Sequence, residues 1–293
     1  MISFVTCSLD DRLLERLRDN LARTAGVEHE LLVHRNRDAA WGLARAYNAG
    51  AARARHPILC FLHEDVEFLS APGWAVRVVR LYAEHPDAGV AGFAGCQVKS
   101  RATSGWLGPR RHVRQHFLQG SRDGSTEWMV NDPAGEVIAP VAVVDGMCLF
   151  VRREDWASSP FDEATFPGFH GYDLDLCTAI GRRRTNRVLL DVDVRHDSPG
   201  TFDRAWREAM RVYHARWKEV LPLACVPLGA GEAEAVEAYA AYRYLRGLLD
   251  DPAATPAELF EARVAWRPHR SRARSLRLAW RTVRRRLRGA APG

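Results

Sequence analysis

The sequence predicts an α/β fold with a mostly parallel mixed sheet, followed by a helical C-terminal extension. Short β-rich apolar runs alternate with helical repeats from the N-terminus onward. The run 57–62 (PILCFL) is apolar on both faces, as strands in the middle of a helix-covered parallel sheet are. Beyond Pro222 the patterning becomes helical. With 293 residues, 47% hydrophobic and 27% charged, the chain is long enough for one large or two ordinary domains, which excludes collagen-like and largely disordered architectures.

Residues 2–7 form a first strand, and in 10–23 Leu13, Leu14, Leu17 and Leu21 recur at helical spacing. Residues 30–34 (ELLVH) are a second strand, 42–54 an alanine-rich helix and 57–62 a third strand. That strand stops at His63, Glu64, Asp65, Val66 and Glu67, a burst of polar groups where an open α/β sheet places its ligand crevice. A helix over about 73–85 and a strand near 89–95 follow. The Arg- and Gly-rich stretch 99–123 has little periodicity and reads as loops over the site. Within 137–151 two strand-like halves surround Asp145 and Gly146, after which 174–184 is a helix and 188–194 a late strand. From 202 to 220, Phe202, Ala205, Trp206, Ala209, Met210, Tyr213 and Trp217 describe an amphipathic helix ended by Pro222. Residues 232–249 are a further helix, and Thr255 before Pro256 reads as an N-cap with proline at the first helical position. The expected division is a domain over 1–222, a helical extension over 223–265 and an Arg-rich tail over 266–293.

The 42 basic and 36 acidic residues give a net charge of +6, but residues 266–293 hold ten arginines and no acid. The body is therefore left with 32 basic against 36 acidic residues, which argues against a uniformly basic nucleic-acid-binding domain. A nucleic-acid-associated reading rests on the tail alone. There Leu276, Trp280, Val283 and Leu287 recur at helical spacing among arginines. Two readings stand for it, an amphipathic strip lying on an anionic membrane surface and a solvated, disordered end. Six cysteines (Cys7, Cys60, Cys96, Cys148, Cys177, Cys225) lie mostly in apolar runs without CxxC spacing and read as buried thiols of a reducing compartment. There is no basic n-region and no apolar stretch of membrane-spanning length. The expected location is cytoplasmic, with membrane contact only at a surface.

No GxGxxG follows the first strand and no GxxxxGK[ST] occurs, so dinucleotide oxidoreductases and P-loop NTPases lose their main support. GxSxG and HExxH are absent as well. What remains is a set of carboxylates and histidines at expected strand ends: His63, Glu64 and Asp65, then Asp145, then Asp173 and Asp175, then His196 with Asp197. Together such groups suit a diphosphate and a hard divalent cation, Mg2+ or Mn2+. Singly, each serves equally as a turn or helix cap.

The segment A-Y-N-A-G at 46–50, followed by I-L-C-F-L-H-E-D-V at 58–66, resembles the N-terminal half of GT-A fold glycosyltransferases of the family-2-like type. In that family an N-x-G helix precedes a strand ending in a DxD-like motif. V-D-G-M-C at 144–148, F-H-G-Y-D-L-D-L-C at 169–177 and R-H-D-S-P-G at 195–200 resemble the remaining blocks, in the same order. The resemblance implies a Rossmann-like nucleotide-sugar-binding fold over 1–222. It also implies a metal-dependent, inverting transferase that moves a sugar from a nucleotide-sugar donor to a hydroxyl of a glycan, lipid-linked or small-molecule acceptor.

Residue by residue, the resemblance implies donor-binding roles for Thr6, Asn48, His63, Glu64, Asp65, Asp145 and Gly146. Asp65 and His196 would hold Mn2+ or Mg2+, and Asp173 or Asp175 would be the catalytic base. The chain departs from the family pattern twice, with His63 at the first DxD position and Tyr172 where members commonly have Glu. These departures keep open a catalytically silent nucleotide-sugar or glycan-binding protein on the same scaffold. Local alternatives also stand: His63 and His196 as hydrogen-bonded strand-end residues, Asp145 in a turn, and Asp173 as a helix cap. Trp106 and Trp128 either stack on a sugar or base or pack into the body. Every catalytic assignment requires Asp65, His196 and the Asp173/Asp175 pair to line a common pocket.

Overall fold

A computed structural model describes residues 1–121, 123–198 and 200–289, with side chains omitted at 272 and 286–289. Arg122 of the 99–123 stretch, Pro199 of the R-H-D-S-P-G block, and 290–293 of the tail lie outside the described residues, as does the Leu287 side chain. The chain enters as β1 (Ile2–Ser8) and α1 (Asp11–Thr24), then β2 (His29–Arg35), α2 (Leu43–Ala51), β3 (Ile58–His63), β4 (Val66–Phe68), α3 (Ala75–Glu84) and β5 (Ala88–Gly92). The short β6 (Ala94–Cys96) and β7 (Val98–Lys99) lead to β8 (Val113–Gly120), β9 (Thr126–Asn131), β10 (Ile138–Val141), β11 (Val143–Val144) and β12 (Cys148–Arg152). Next come α4 (Arg153–Ser158), α5 (Tyr172–Gly181), β13 (Thr185–Leu189), β14 (Val194–His196), α6 (Arg204–Arg216) and β15 (Leu223–Ala224). Helices α7 (Glu232–Asp250), α8 (Pro256–Trp266) and α9 (Arg272–Gly289) end the chain.

Among the described residues the main sheet has seven strands in the order β10-β13-β5-β12-β3-β1-β2. β1 is parallel to β2 and β3, and β13 is parallel to β5. β12 enters antiparallel between β3 and β5, and β10 lies antiparallel on β13, which makes the sheet mixed. Alternation along β3 sends Leu59 and Phe61 to one face and Ile58, Cys60 and Leu62 to the other. The first face is covered by α2, α5 and α6 through Tyr47, Ile180 and Tyr213; the second by α1 and α3 through Leu17, Leu21, Val78 and Leu81. Burial on both faces is the physical reason that β3 is apolar throughout until its last residue, His63. Gly50 lets α2 lie directly on β1, because a Cβ there would meet Val5 Cγ1 at 2.3 Å.

Two expectations need correction. The stretch 99–123 is not loops alone: it contains β8, the centre of a second sheet in the order β11-β6-β8-β14-β4, with β9 also paired to β8. Its period escapes a hydrophobicity reading because polar side chains are buried in it, Gln115 and Arg114, the latter paired with Glu136 at 3.1 Å. The single late strand expected over 188–194 is two strands. The chain bends at 190–192, so β13 joins the main sheet and β14 the second.

Helices α7, α8 and α9 enclose a separate small core of Tyr242, Leu245, Leu248, Leu249, Trp266 and Leu278. A capping box between Thr255 and Glu258 starts α8. Within the tail, Arg272–Gly289 is helical and docked. Arg281 pairs with Asp250, and Arg285 donates to the carbonyls of Leu248 and Ala254 at 3.2 and 2.6 Å, at and just beyond the end of α7, where the helix dipole favours a cation. No helix among the described residues is long and apolar enough to cross a membrane.

Arg207 of α6 joins this unit to the sheet-bearing part: its side chain, 3% exposed, pairs with Glu258 at 2.9 Å and with Asp251. Removing one member of a buried ion pair leaves the others uncompensated. Arg207→Ala is therefore expected to lower the unfolding free energy by about 3 kcal/mol in urea titrations, and to make 223–265 the first segment cut in limited proteolysis. An unchanged midpoint and cleavage pattern would show that apolar contacts alone hold the extension.

Candidate active site

β1, β2 and β3 end side by side, with Cys7 in register with His34 on one side and His63 on the other. Beyond these ends lies a cavity of about 460 Å³ lined by Cys7, Asn36, Trp41, His63, Asp65 and Phe169, among others. This is the crevice at the carboxyl ends of the strands where open α/β sheets bind ligands. Asn36 fixes one wall by bonding the backbone oxygen and nitrogen of Trp41 at 2.7 and 3.0 Å. The Trp41 ring stacks on His34 at 4.2 Å, and the Arg45 guanidinium lies 3.9 Å from its centroid.

Antiparallel pairing of β14 with β4 sets His196 opposite Val66 and so beside Asp65. His196 Nε2 lies 3.6 Å from Asp65 Oδ1 and 3.3 Å from His63 Nδ1. Each of the three residues offers a ligand atom within 4.8 Å of the other two. On its far side His63 Nε2 is 2.9 Å from the Tyr172 hydroxyl, which is 3.0 Å from the Gly146 carbonyl oxygen. That carbonyl can only accept, so Tyr172 spends its one proton there and accepts the Nε2 proton of His63. The lone pair of His63 is thereby left on Nδ1, on the side of Asp65 and His196.

Burial, reinforced by His196, takes His63 down to about 4, so the ring is neutral at physiological pH. Burial pushes the Asp65 carboxyl up, but His196, His63 and the Ser198 hydroxyl outweigh it and hold the group below the usual carboxylate range. Ser198 donates to the second Asp65 oxygen. A neutral imidazole, a second imidazole and an ionised carboxylate form a donor set that fits a divalent cation.

Asp173 sits in the first turn of α5 against the Asp145–Gly146 turn. A Cβ on Gly146 would lie 2.5 Å from the Tyr172 hydroxyl oxygen and 3.2 Å from Asp173 Cβ, so only glycine permits this approach. Asp145 Oδ1 accepts from the Met147 backbone N–H at 2.9 Å. Burial and then the Asp145 charge push Asp173 up to about 7. A carboxyl so placed exchanges its proton near neutrality.

The fold thus brings His63, Asp65, Asp145, Gly146, Asp173 and His196 into one corner, and it leaves other expected residues outside. Thr6 is fully buried and donates to the Leu62 carbonyl at 3.0 Å; by alternation its neighbour Cys7 faces the cavity instead. Asn48 donates to the Phe161 carbonyl at 2.8 Å and accepts from Trp156 Nε1 and the Phe161 N–H at 3.1 Å. It ties α2 to the segment after α4 rather than touching the cavity. Glu64 lines the rim, but its carboxylate accepts from the backbone N–H groups of Leu9 and Asp10 at 3.1 and 3.2 Å, bracing the turn into α1.

Asp175 is turned away from the corner. It accepts from Trp217 Nε1 at 2.8 Å and pairs with Arg216 at 3.0 Å. Two residues apart on one helix, Asp173 and Asp175 do not share a face. Of the two, only Asp173 lies in the corner. Sequence reasoning missed Asn36, Trp41, Phe169 and Ser198 as lining residues. Phe169 and Ser198 lie inside the recognised blocks, whereas nothing in the local pattern marks Asn36 or Trp41.

The fold defines a class, the GT-A glycosyltransferase scaffold. Among the solved structures that share it, GalNAc-T7 with UDP, GalNAc and Mn2+ is 12% identical at a TM-score of 0.51, with 91% of this chain and 54% of that chain covered. The mannosyltransferase PcManGT from Pyrobaculum calidifontis, in complex with GDP-Man and Mn2+, is 16% identical at a TM-score of 0.50, with 95% and 78% covered. This chain therefore spans about half the length of GalNAc-T7. A comparison with curated protein sequences gives no match. Residues 3–210 match the glycosyltransferase like family, and the chain belongs to that family.

Because Asp173 is raised in the folded state, its stabilising contribution is complete below about pH 4 and is lost as pH rises through about 7. Asp173→Asn is expected to raise Tm by about 4 °C at pH 8, with the gain shrinking toward pH 5. A variant no more stable than the parent at pH 8 would show that the carboxylate is not desolvated.

Proposed function

We propose that this glycosyltransferase moves a sugar from a nucleotide-sugar donor to an acceptor hydroxyl with inversion at the anomeric carbon. The observation that carries the proposal is the convergence of His63, Asp65 and His196 on one side of the Gly146–Tyr172 contact and Asp173 on the other. The donor's nucleoside would lie along the cavity wall from Cys7 to Trp41, with its diphosphate at the His63, Asp65 and His196 cluster. A divalent cation held by those three residues would supply positive charge against the leaving diphosphate. Two imidazoles beside a single carboxylate suit Mn2+ better than Mg2+, which prefers oxygen ligands. GalNAc-T7 is in complex with UDP, GalNAc and Mn2+, and PcManGT with GDP-Man and Mn2+.

The chain's own residues account for the remaining chemistry. Asp173 accepts the proton of the acceptor hydroxyl as its oxygen bonds to the anomeric carbon and the bond to the diphosphate oxygen breaks. A carboxyl raised to about 7 is a stronger base than an exposed one and still half ionised at neutral pH. Tyr172 holds His63 in the tautomer with Nδ1 free, a positioning role. Catalysis belongs to 1–222 in this reading, with 223–265 a helical extension and 266–293 a tail.

Thermal-shift titration with UDP and GDP, with and without Mn2+, tests the donor site. One of the two is expected to raise Tm only with Mn2+, and Asp65→Ala to abolish both that shift and nucleoside diphosphate release from donor sugars. Asp173→Asn is expected to keep the shift and lose about a hundredfold or more in transfer rate. A Mn2+-dependent shift that survives in Asp65→Ala removes the cluster from the donor site, and unchanged transfer in Asp173→Asn moves the base elsewhere.

The proposal also places the protein on the cytoplasmic face of an anionic membrane. What supports it is the outer stripe of α9, where Leu276, Trp280 and Val283 are 72%, 60% and 55% exposed, with the Arg284 guanidinium over the Trp280 ring. Flotation with phosphatidylglycerol vesicles should recover the full chain, and the double variant Trp280→Glu/Val283→Glu should stay behind. Equal flotation of the two would remove the tail from membrane attachment.

A further inference from the structure

A second cavity, of about 400 Å³, lies where the sheet-bearing part meets the helical extension. Its walls include Trp106 from the segment before β8, Phe202 and Trp206 around the start of α6, and Arg243, Tyr244 and Arg246 of α7. The Trp206 ring meets Phe202 edge-on at 4.9 Å and Tyr244 at 6.4 Å between centroids, so the three aromatic groups form one wall. Phe202 is 61% exposed, which leaves ring surface open to a ligand. Concave sites with aromatic faces and a few fixed polar groups are the usual form of small-molecule sites, and flat rings offer large contact area to the C–H face of a sugar.

The charges of this cavity do not cancel. Asp250 and Asp251 also line it, but Asp250 is paired with Arg281 and Asp251 with Arg207. The guanidinium groups of Arg243 and Arg246 are left without a carboxylate partner among the described residues. Planar, multidentate donors of this kind suit carboxylate and phosphate.

Two side-chain links tie the cavity wall to the catalytic corner. Trp106 lines the cavity, and its side chain acts on the carboxyl of Asp145, the neighbour of Asp173. His170, on the turn into α5, approaches Asp203 at the start of α6 at 3.8 Å, so the segment that carries Asp173 borders the cavity wall.

We infer that this cavity is the acceptor subsite and that the acceptor is an anionic glycoside or glycan. A sugar ring rests against Trp106 and Trp206, its carboxylate or phosphate meets Arg243 and Arg246, and the hydroxyl to be glycosylated points toward Asp173. The inference rests on the transferase reading above. It accounts for why the helical extension is held against α6: α7 supplies half of the acceptor's contacts.

Saturation-transfer NMR on the full chain, in EDTA to strip any metal-held phosphate from the other cavity, tests it with three probes. Hyaluronan tetrasaccharide carries carboxylates, N-acetylglucosamine 1-phosphate carries a phosphate, and chitotetraose is neutral. At least one anionic probe is expected to bind more tightly than chitotetraose. Arg243→Ala/Arg246→Ala should weaken it about tenfold, and Trp206→Leu by a similar factor, with the nucleotide and Mn2+ shift retained. Which anionic probe binds decides between a uronic-acid and a phosphate-bearing acceptor. No binding of either anionic probe, or binding that matches chitotetraose and ignores the arginines, overturns the inference. Arginine-dependent glycan binding in a chain that shows no nucleotide shift would instead sink the transferase reading and leave the cavity as a glycan site.

Discussion

The site depends on one strand pairing. With β14 antiparallel to β4, His196 falls opposite Val66 and reaches both Asp65 and His63, the latter 133 positions earlier in the chain. A register shift of one residue would turn the His196 side chain to the other face of the sheet and dissolve the cluster. The register is held from the other edge of β14 by β8, and Gln119 of β8 donates to the His196 carbonyl at 3.0 Å. The irregular middle of the sequence therefore contributes the strand that fixes the site's geometry.

A second constraint ties this cluster to Asp173. Tyr172 and Asp173 are consecutive on α5, and both press against Gly146, which has no side chain to keep them away. Through Tyr172 the helix sets the tautomer of His63, and through Asp173 it presents a carboxyl whose burial is unfavourable in the ionised form. Stability is thus set against reactivity at one position. Helix α6 bears on the same corner by another route. Buried Lys99 donates to Ser104 at 2.7 Å and bonds His214 at 2.9 Å, anchoring to α6 the segment that carries Trp106. Burial takes Lys99 down to about 7, in keeping with a structural anchor rather than a surface charge.

Much of the fold was legible in the sequence because hydrophobic period is a local property. The first three strands, their intervening helices, α6 and α7 all announce themselves by spacing of apolar residues. β8 did not, since Arg114 and Gln115 are buried with partners that lie elsewhere in the chain, and β14 did not, since three residues are too few for a period. The site was legible as a set of blocks but not as a set of roles. Asn48 and Thr6 stand in recognisable positions and yet bond to Phe161 and Leu62, while the unremarkable Trp41 lines the cavity.

The sequence by itself determined the α/β class, the crevice at the end of the third strand, the family and the shortlist of carboxylates and histidines, because each follows from local order along the chain. Which of those side chains meet was decided only by tertiary structure. Helical geometry sends Asp173 and Asp175 to different faces, strand register chooses the neighbour of Asp65, and the close approach at Gly146 joins Tyr172 to His63. Such contacts depend on the packing of elements far apart in the chain, and no window of residues contains them.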